Sequence, residues 1–264
     1  MNEKYMEIIK EKDVYFMETV LDKIIINDGY EGIEILDNNL KLIKKLNIFK
    51  DIIIQYSYVN EKNNEMLLFC PGNECFVHIN LNNYEVKTIF IENGLKDVLF
   101  SEIYLWENDI VILDSYNMVF CKVDFSRNRL EIIKEEAVMG LYPAFYRFCS
   151  YISFKNVIDI FPKAYKAIVQ ENNDEFFVYN LDGSYEKIDI KSMYGITDFI
   201  SDGKNIGLVY GDYIKIIGNN NEKLVNCEDK DVFIRASYLN NGNLAVLSNS
   251  KLESLQNKVL IFKI

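Results

Sequence analysis

The sequence predicts an all-β chain of six small, four-stranded antiparallel sheets, and three observations predict it. A short, mostly apolar β-rich run followed by an Asp/Asn/Gly turn and a second such run occurs six times. The first runs open at Lys23, Met66, Asp109, Lys166, Ile206 and Leu244. Their spacing, about 40 residues, is that of successive blades in a β-propeller. The segments around the last turn of each unit also align: GIEILDNNLKLIKKL from Gly32, FVHINLNNYEVKTIF from Phe76, VFCKVDFSRNRLEIIKE from Val119, FFVYNLDGSYEKIDI from Phe176 and YIKIIGNNNEKLVNC from Tyr213. Finally, the sixth unit stops one strand short at Ile264, while Tyr5–Lys12 (YMEIIKEK) matches the outer strand of the third unit, RLEIIKEE from Arg129. The N-terminal strand is therefore expected to complete the last blade, which would remove two open sheet edges.

The individual elements follow from alternation and turn chemistry. First strands are expected near Val14–Thr19, Ile52–Val59, Phe100–Trp106, Val157–Phe161, Ile196–Ser201 and Phe233–Leu239. Asn38-Asn39, Asn82-Asn83, Asp182-Gly183 and Asn219-Asn220 stand where a tight hairpin needs residues that tolerate φ > 0. Residues 136–155 have no counterpart in the other units. Within them Pro143 suits the first turn of a helix, and Phe145, Phe148, Cys149 and Ile152 fall at i, i+3, i+4 and i+7. A short helix over the acidic end of the fold is one reading and an extra strand is the other. An apolar stripe at helical spacing generally packs on its own domain.

Composition bounds the rest. A chain of 264 residues, 49% hydrophobic, with three prolines and twelve glycines spread thinly, reads as one domain over 1–264 with no linker. MNEKYMEIIKEK carries no apolar signal core, and no apolar run approaches the ~20 residues of a membrane span. A cytoplasmic protein is expected, with a processed secreted chain as the alternative. The net charge of −11 disfavours nucleic acid and anionic membranes and suits a basic protein partner. Nothing calls for a cofactor, and the chain alone is expected to be monomeric.

The closing run NNGNLAVLSNS…NKVLIFKI resembles the blade logic of six-bladed propellers of the NHL and YWTD-like type. The resemblance spans the whole chain, with five or seven blades as the alternatives if the insertion alters the count. What it implies is a fold, and a fold alone carries no function.

Few chemical constellations are available. The single histidine, His78, lies inside a strand and reads as a packed or solvent-facing sheet residue rather than a general base. Cys-x-x-Cys, paired histidines and phosphate loops are absent. The five cysteines read as free buried thiols, although Cys70 and Cys75 flank a turn and could face each other across a hairpin. Carboxylates are abundant, and in a propeller they collect on the face that carries the second-to-third-strand turns and the inter-blade loops, with Asp13, Glu31 and Asp51 among them. The residues expected to meet a partner are Asp28, Asp114, Asp174, Asp212, Glu228 and Asp229, with Tyr142, Phe145, Tyr146 and Arg147 of the insertion. Asp28, Asp114 and Asp212 each end a second strand. Pointed at the axis they would form a ring of oxygen ligands for Ca²⁺ or Mg²⁺, but Asp at a strand end commonly just opens a turn, so no metal site is assigned.

Two functions from different classes remain. One is a non-enzymatic protein-binding scaffold with an acidic face and an aromatic insertion, for example an immunity or antitoxin protein neutralising a basic toxin domain. The other is a hydrolase or lyase acting on a glycan or lactone through axial carboxylates, with or without a divalent metal.

Overall fold

The computed structural model describes residues 4–91, 102–106, 109–114, 119–152, 155–161, 166–171, 175–190, 193–218, 221–228, 230–251 and 256–264. They form an all-β fold of four-stranded antiparallel blades of propeller type. In chain order, β1 (Lys4–Lys10) precedes a meander of β2 (Met17–Val20), β3 (Lys23–Asn27), β4 (Gly32–Asp37) and β5 (Leu42–Asn47). Next come β6 (Tyr56–Asn60), β7 (Glu65–Cys70), β8 (Cys75–Asn80) and β9 (Glu85–Phe90), then β10 (Glu102–Trp106), β11 (Asp109–Asp114), β12 (Val119–Asp124) and β13 (Arg129–Ile133). Two helices follow, α1 (Glu135–Leu141) and α2 (Pro143–Ile152). The remaining strands are β14 (Asn156–Phe161), β15 (Lys166–Glu171), β16 (Glu175–Asn180), β17 (Tyr185–Ile188), β18 (Ile196–Ser201), β19 (Ile206–Tyr210), β20 (Tyr213–Ile217), β21 (Glu222–Asn226), β22 (Asp231–Tyr238), β23 (Leu244–Ser250) and β24 (Asn257–Phe262).

Among the described residues the blades number five where six were expected, four sheets of four strands and one of eight. The meanders β6–β9 and β10–β13 are joined in one eight-stranded sheet, in the order β10-β11-β12-β13-β9-β8-β7-β6. The junction is a single parallel bridge between their outer strands, Arg129 to Phe90. A repeat read along the chain shows each meander but not a lateral bridge between two outer strands, which is why the count differs.

The last sheet closes as its sequence suggests. β1 lies antiparallel to β24, with Lys4 opposite Phe262 and Lys10 opposite Asn257, giving the order β1-β24-β23-β22. The turns correct one detail. Positive φ falls on Leu40 (61°) and Tyr84 (62°), one residue after the expected Asn pairs, whereas Gly183 (84°) lies within its expected pair. The Asx residue that opens each turn explains the offset. Asp37 Oδ1 accepts the N–H of Asn39 at 2.9 Å, and Asn80 Oδ1 accepts that of Asn82 at 2.9 Å, so the left-handed step comes afterwards. Asn219 and Asn220 lie outside the described residues.

The chain divides into two compact units, residues 1–54 with 193–264, and residues 55–192. In the first, Val14, Met17, Ile24, Ile26 and Leu36 pack with Leu239, Ala245, Leu247 and Val259, and Met6 and Ile8 of β1 lean on this cluster. A second cluster joins Val209, Ile214 and Val225 to Phe233, Val246 and Leu260. In the second unit, Leu67, Phe76 and Ile89 pack with Cys121 and Leu130, while α1 and α2 build a separate core with Val111, Phe120, Ala167, Val169 and Tyr179.

Candidate functional site

Asn27, fully buried at the end of β3, organises the loop end of the first unit. Its Oδ1 accepts the N–H groups of Tyr15 and Phe16, both at 2.9 Å, and its Nδ2 donates to the carbonyls of Asp13 (2.9 Å) and Gly29 (2.8 Å). One amide with every hydrogen-bonding position used ties the 11–16 segment to the 28–31 turn. Gly29, at φ 57°, gives that turn its left-handed step.

On this frame Tyr15 and Tyr30 stack, with ring centroids 5.6 Å apart and planes at 22°. The Tyr30 hydroxyl donates to Asp13 Oδ2 at 2.8 Å, and that carboxylate raises the phenol above its ordinary pKa. Tyr15 Oη donates to the Ile52 carbonyl (3.0 Å) and accepts the Ile54 N–H (3.1 Å), while the Ile52 N–H reaches the Tyr30 carbonyl at 2.9 Å. Val14, Phe16, Ile52 and Ile54 are buried beneath, leaving Tyr30 (46%) and Ile53 (53%) exposed. Asp13, Glu31 and Asp51 are exposed in the same loops. The result is a rigid aromatic–aliphatic knob with a carboxylate rim.

A cleft of about 330 Å³ adjoins it, lined by Lys10, Lys12, Asn27, Asp28, Glu34 and Lys45 among others. Asp28 is 4% exposed and pairs with Lys45 and, at 3.1 Å, with Lys12. Burial pushes its carboxyl up, but the two ammonium groups outweigh that and hold it below the ordinary carboxylate range. Lys12 also reaches Glu31 at 2.9 Å, which with Asp28 holds its ammonium above the usual lysine value, and Lys10 pairs with Glu34. The cleft is therefore charge-balanced by its own residues.

The other expected partner residues are scattered. Asp28 is enclosed by lysines, which leaves it unsuited to a ring of cation ligands. Asp114 ends β11 opposite Val119. Asp174 and Asp229 lie outside the described residues. Asp212 sits exposed in the turn before β20, its carbonyl accepting the Cys227 N–H at 2.8 Å. Glu228 is exposed and held low chiefly by Lys4, with Lys230 at 3.6 Å. Among the described residues no group of three or more His, Cys, Asp or Glu could hold a metal ion.

The insertion is helical and mostly interior. Phe145, Phe148, Cys149 and Ile152 are buried along one face of α2, as their spacing suggests, and Tyr142 (8% exposed) joins them. Tyr146 is half-buried and donates to Glu135 Oε1 at 2.5 Å, and Arg147 is exposed. Of the four insertion residues expected to meet a partner, two belong to the core. Gly183 marks how closely α2 docks. A Cβ there would meet the Tyr151 ring at 2.6 Å.

Two charged constellations escaped sequence reasoning. On two strands of the first unit, β18 and β22, bulges immediately before Asp198 and Arg235 interrupt the ladders. Burial pushes the Asp198 carboxyl up to about 6, opposed by Arg235 and by the Ala236 N–H, which donates at 3.1 Å, and reinforced by Glu18. Thr19 Oγ1 and Ser237 Oγ lie 2.7 Å apart beside them. The available signal was a carboxylate inside an apolar run, GITDFI. In β24, Lys258 donates to both oxygens of Asp231, at 2.9 and 2.7 Å, and both side chains are buried. His78, in contrast, is a sheet residue of the packed rather than the solvent-facing kind. It lies against Phe125 at 4.4 Å, and burial lowers its pKa.

No protein-family model and no curated protein matches the chain. Among solved structures it is similar to one described as "Structural and functional probing of PorZ, an essential bacterial surface component of the type-IX secretion system of human oral-microbiomic Porphyromonas gingivalis". The two share 9% identity over 92% of this chain, with a TM-score of 0.47, and this chain spans 37% of that protein's length. A likeness so distant says nothing of activity or partners. No helix among the described residues is long and apolar enough to cross a membrane.

Proposed function

We propose that the chain is a non-enzymatic scaffold that binds a basic protein at the loop end of residues 1–54, with Tyr30 and Ile53 at the centre. The observation that carries this reading is the exposed Tyr30–Ile53 knob, held by Asn27 and Tyr15 and rimmed by Asp13, Glu31 and Asp51. A fixed tyrosine contributes contact area with little entropy left to lose, the usual property of a binding hot spot. The carboxylates and the net charge of −11 favour rapid encounter with a cation-rich surface, an effect that salt weakens. Asp212 and Glu228, exposed in the same unit, add to that field. Neutralisation of a cationic toxin domain is a specific form of this activity.

The test is a photo-crosslinking residue placed at Ile53 and, as a control, at Leu224, which is exposed on the outer strand β21. In the producing cell, position 53 should give an adduct with a basic protein that fades at high salt. Equal adducts from both positions, or none from position 53, would refute the reading.

A second reading, a hydrolase or lyase acting on a glycan or lactone, is favoured by one observation. Asp198, pushed up to about 6 mainly by burial, also feels a second carboxylate, Glu18, and the opposing charge of Arg235. In such chemistry Asp198 would donate the proton and Glu18 accept one. Turnover of a glycan or lactone panel that survives Asp198→Asn unchanged would remove it.

A further inference from the structure

We propose that Cys70 and Cys75 form a reversible dithiol–disulfide pair, oxidised by peroxide, at the neck of the β7–β8 hairpin. The two residues are direct Cα partners, the last pair of the ladder before the turn Pro71–Glu74. Opposed residues of an antiparallel ladder project to the same face, with Cβ atoms about 4.5–5.5 Å apart. A disulfide needs about 3.5–4.5 Å, so a small closing of the neck suffices. The thiols already interact: the Cys70 S–H donates to the Cys75 sulfur, which raises Cys70 and lowers Cys75 from their ordinary values. In the proposed reaction Cys75 serves as the attacking thiolate and Cys70 as the resolving thiol, the division of labour found in reactive dithiols.

Both side chains are fully buried, so the oxidant must be small. The turn above them is the natural entry. Pro71, Gly72 and Glu74 are exposed, the short 3₁₀ segment has no side-chain cap, and Glu74 holds φ 48° without being glycine. In the first step the Cys75 thiolate attacks one oxygen of hydrogen peroxide, the O–O bond breaks, and sulfenic acid and hydroxide form. In the second step the Cys70 sulfur attacks the sulfenic sulfur, and the S–O bond breaks as the disulfide forms. The Cys70 proton leaves with the departing oxygen, as water. The net reaction converts two thiols and one peroxide into a disulfide and two waters.

The experiment treats the reduced, folded full-length protein with hydrogen peroxide, alkylates it under denaturing conditions, and digests after glutamate. Cleavage at Glu74 separates the two cysteines, so only a disulfide keeps the halves together. The expected result is joint loss of alkylation at Cys70 and Cys75, a linked fragment pair, and recovery with dithiothreitol. Cys227, the half-buried cysteine, is the internal control for exposure to oxidant. In Cys70→Ser, Cys75 should be trapped as the sulfenic acid by dimedone. Should that variant fail to fold, the wild-type map decides alone. Full alkylation of Cys70 and Cys75 after Cys227 has been oxidised, overoxidation to sulfinic acid in the wild type, or a disulfide through another pair would overturn the proposal.

Discussion

The two compact units solve burial differently. In residues 1–54 with 193–264, buried charged and polar groups are held by fixed partners: Asp231 by the buried Lys258, Asp28 by the exposed Lys45 and Lys12, and Asn27 by its four hydrogen bonds. In residues 55–192, two helices fill the space beside the sheets with Phe145, Phe148, Ile152 and Tyr142. An interior charge is tolerable only when paired, and pairing fixes the loops that carry it. Aromatic rings fill volume without specifying any loop. The contrast teaches that the insertion, the most distinctive stretch of the sequence, does packing work. The site-like geometry belongs to an ordinary repeat.

Deleting residues 1–12 removes β1 from the β1-β24 ladder and strips Met6 and Ile8 from the first unit's core. A loss of several kcal/mol is expected in a thermal melt, and unchanged stability would mean that closure of this sheet contributes nothing. Asp231→Ala and Phe145→Ala should each cost about 3–5 kcal/mol, by different means. The first leaves a buried ammonium unpaired, so adding Lys258→Met should restore most of the loss. The second leaves a cavity that no change of charge repairs. If the double variant is as unstable as Asp231→Ala alone, pairing is not what the first unit depends on.

A smaller effect probes Asp198. Its carboxyl binds a proton more tightly when folded, near pH 6, than when unfolded, near pH 4. Between those values the folded state holds more protons, so stability falls as pH rises from about 4 to about 6 and stays lower above. Asp198→Asn cannot ionise. It should stabilise the protein by about 1–3 kcal/mol at pH 8 and leave it nearly unchanged at pH 4. A benefit equal at both pH values would show that ionisation of Asp198 is not the cause.

Much of the fold was legible because strands and turns are local. GIEILD and FVHIN are short, β-branched, mostly apolar runs closed by an Asx turn, which suits a buried strand, and the stripe Phe145, Phe148, Cys149, Ile152 has helical spacing. The match of YMEIIKEK to RLEIIKEE reflects a shared role as outer strand, and this exposed the pairing of the chain's two ends. What was not legible depends on neighbours distant in sequence. The Arg129–Phe90 bridge joins two meanders through one residue on each. Lysine reads as surface, and only the position of Asp231 explains Lys258 within the apolar strand NKVLIF. The knob is a similar case. Tyr15, Tyr30 and Ile53 come from three separate loops, so no window of sequence contains them.

The most direct test compares the two regions in one binding measurement. With the partner captured through position 53, Kd is determined for Tyr30→Ala and for Arg147→Ala, the latter at the exposed surface of α2. Loss of a hot-spot tyrosine should weaken binding by about tenfold or more, and Arg147→Ala should stay within about threefold of the parent. A large loss with Arg147→Ala and none with Tyr30→Ala would place recognition on the insertion and contradict the assignment of the knob.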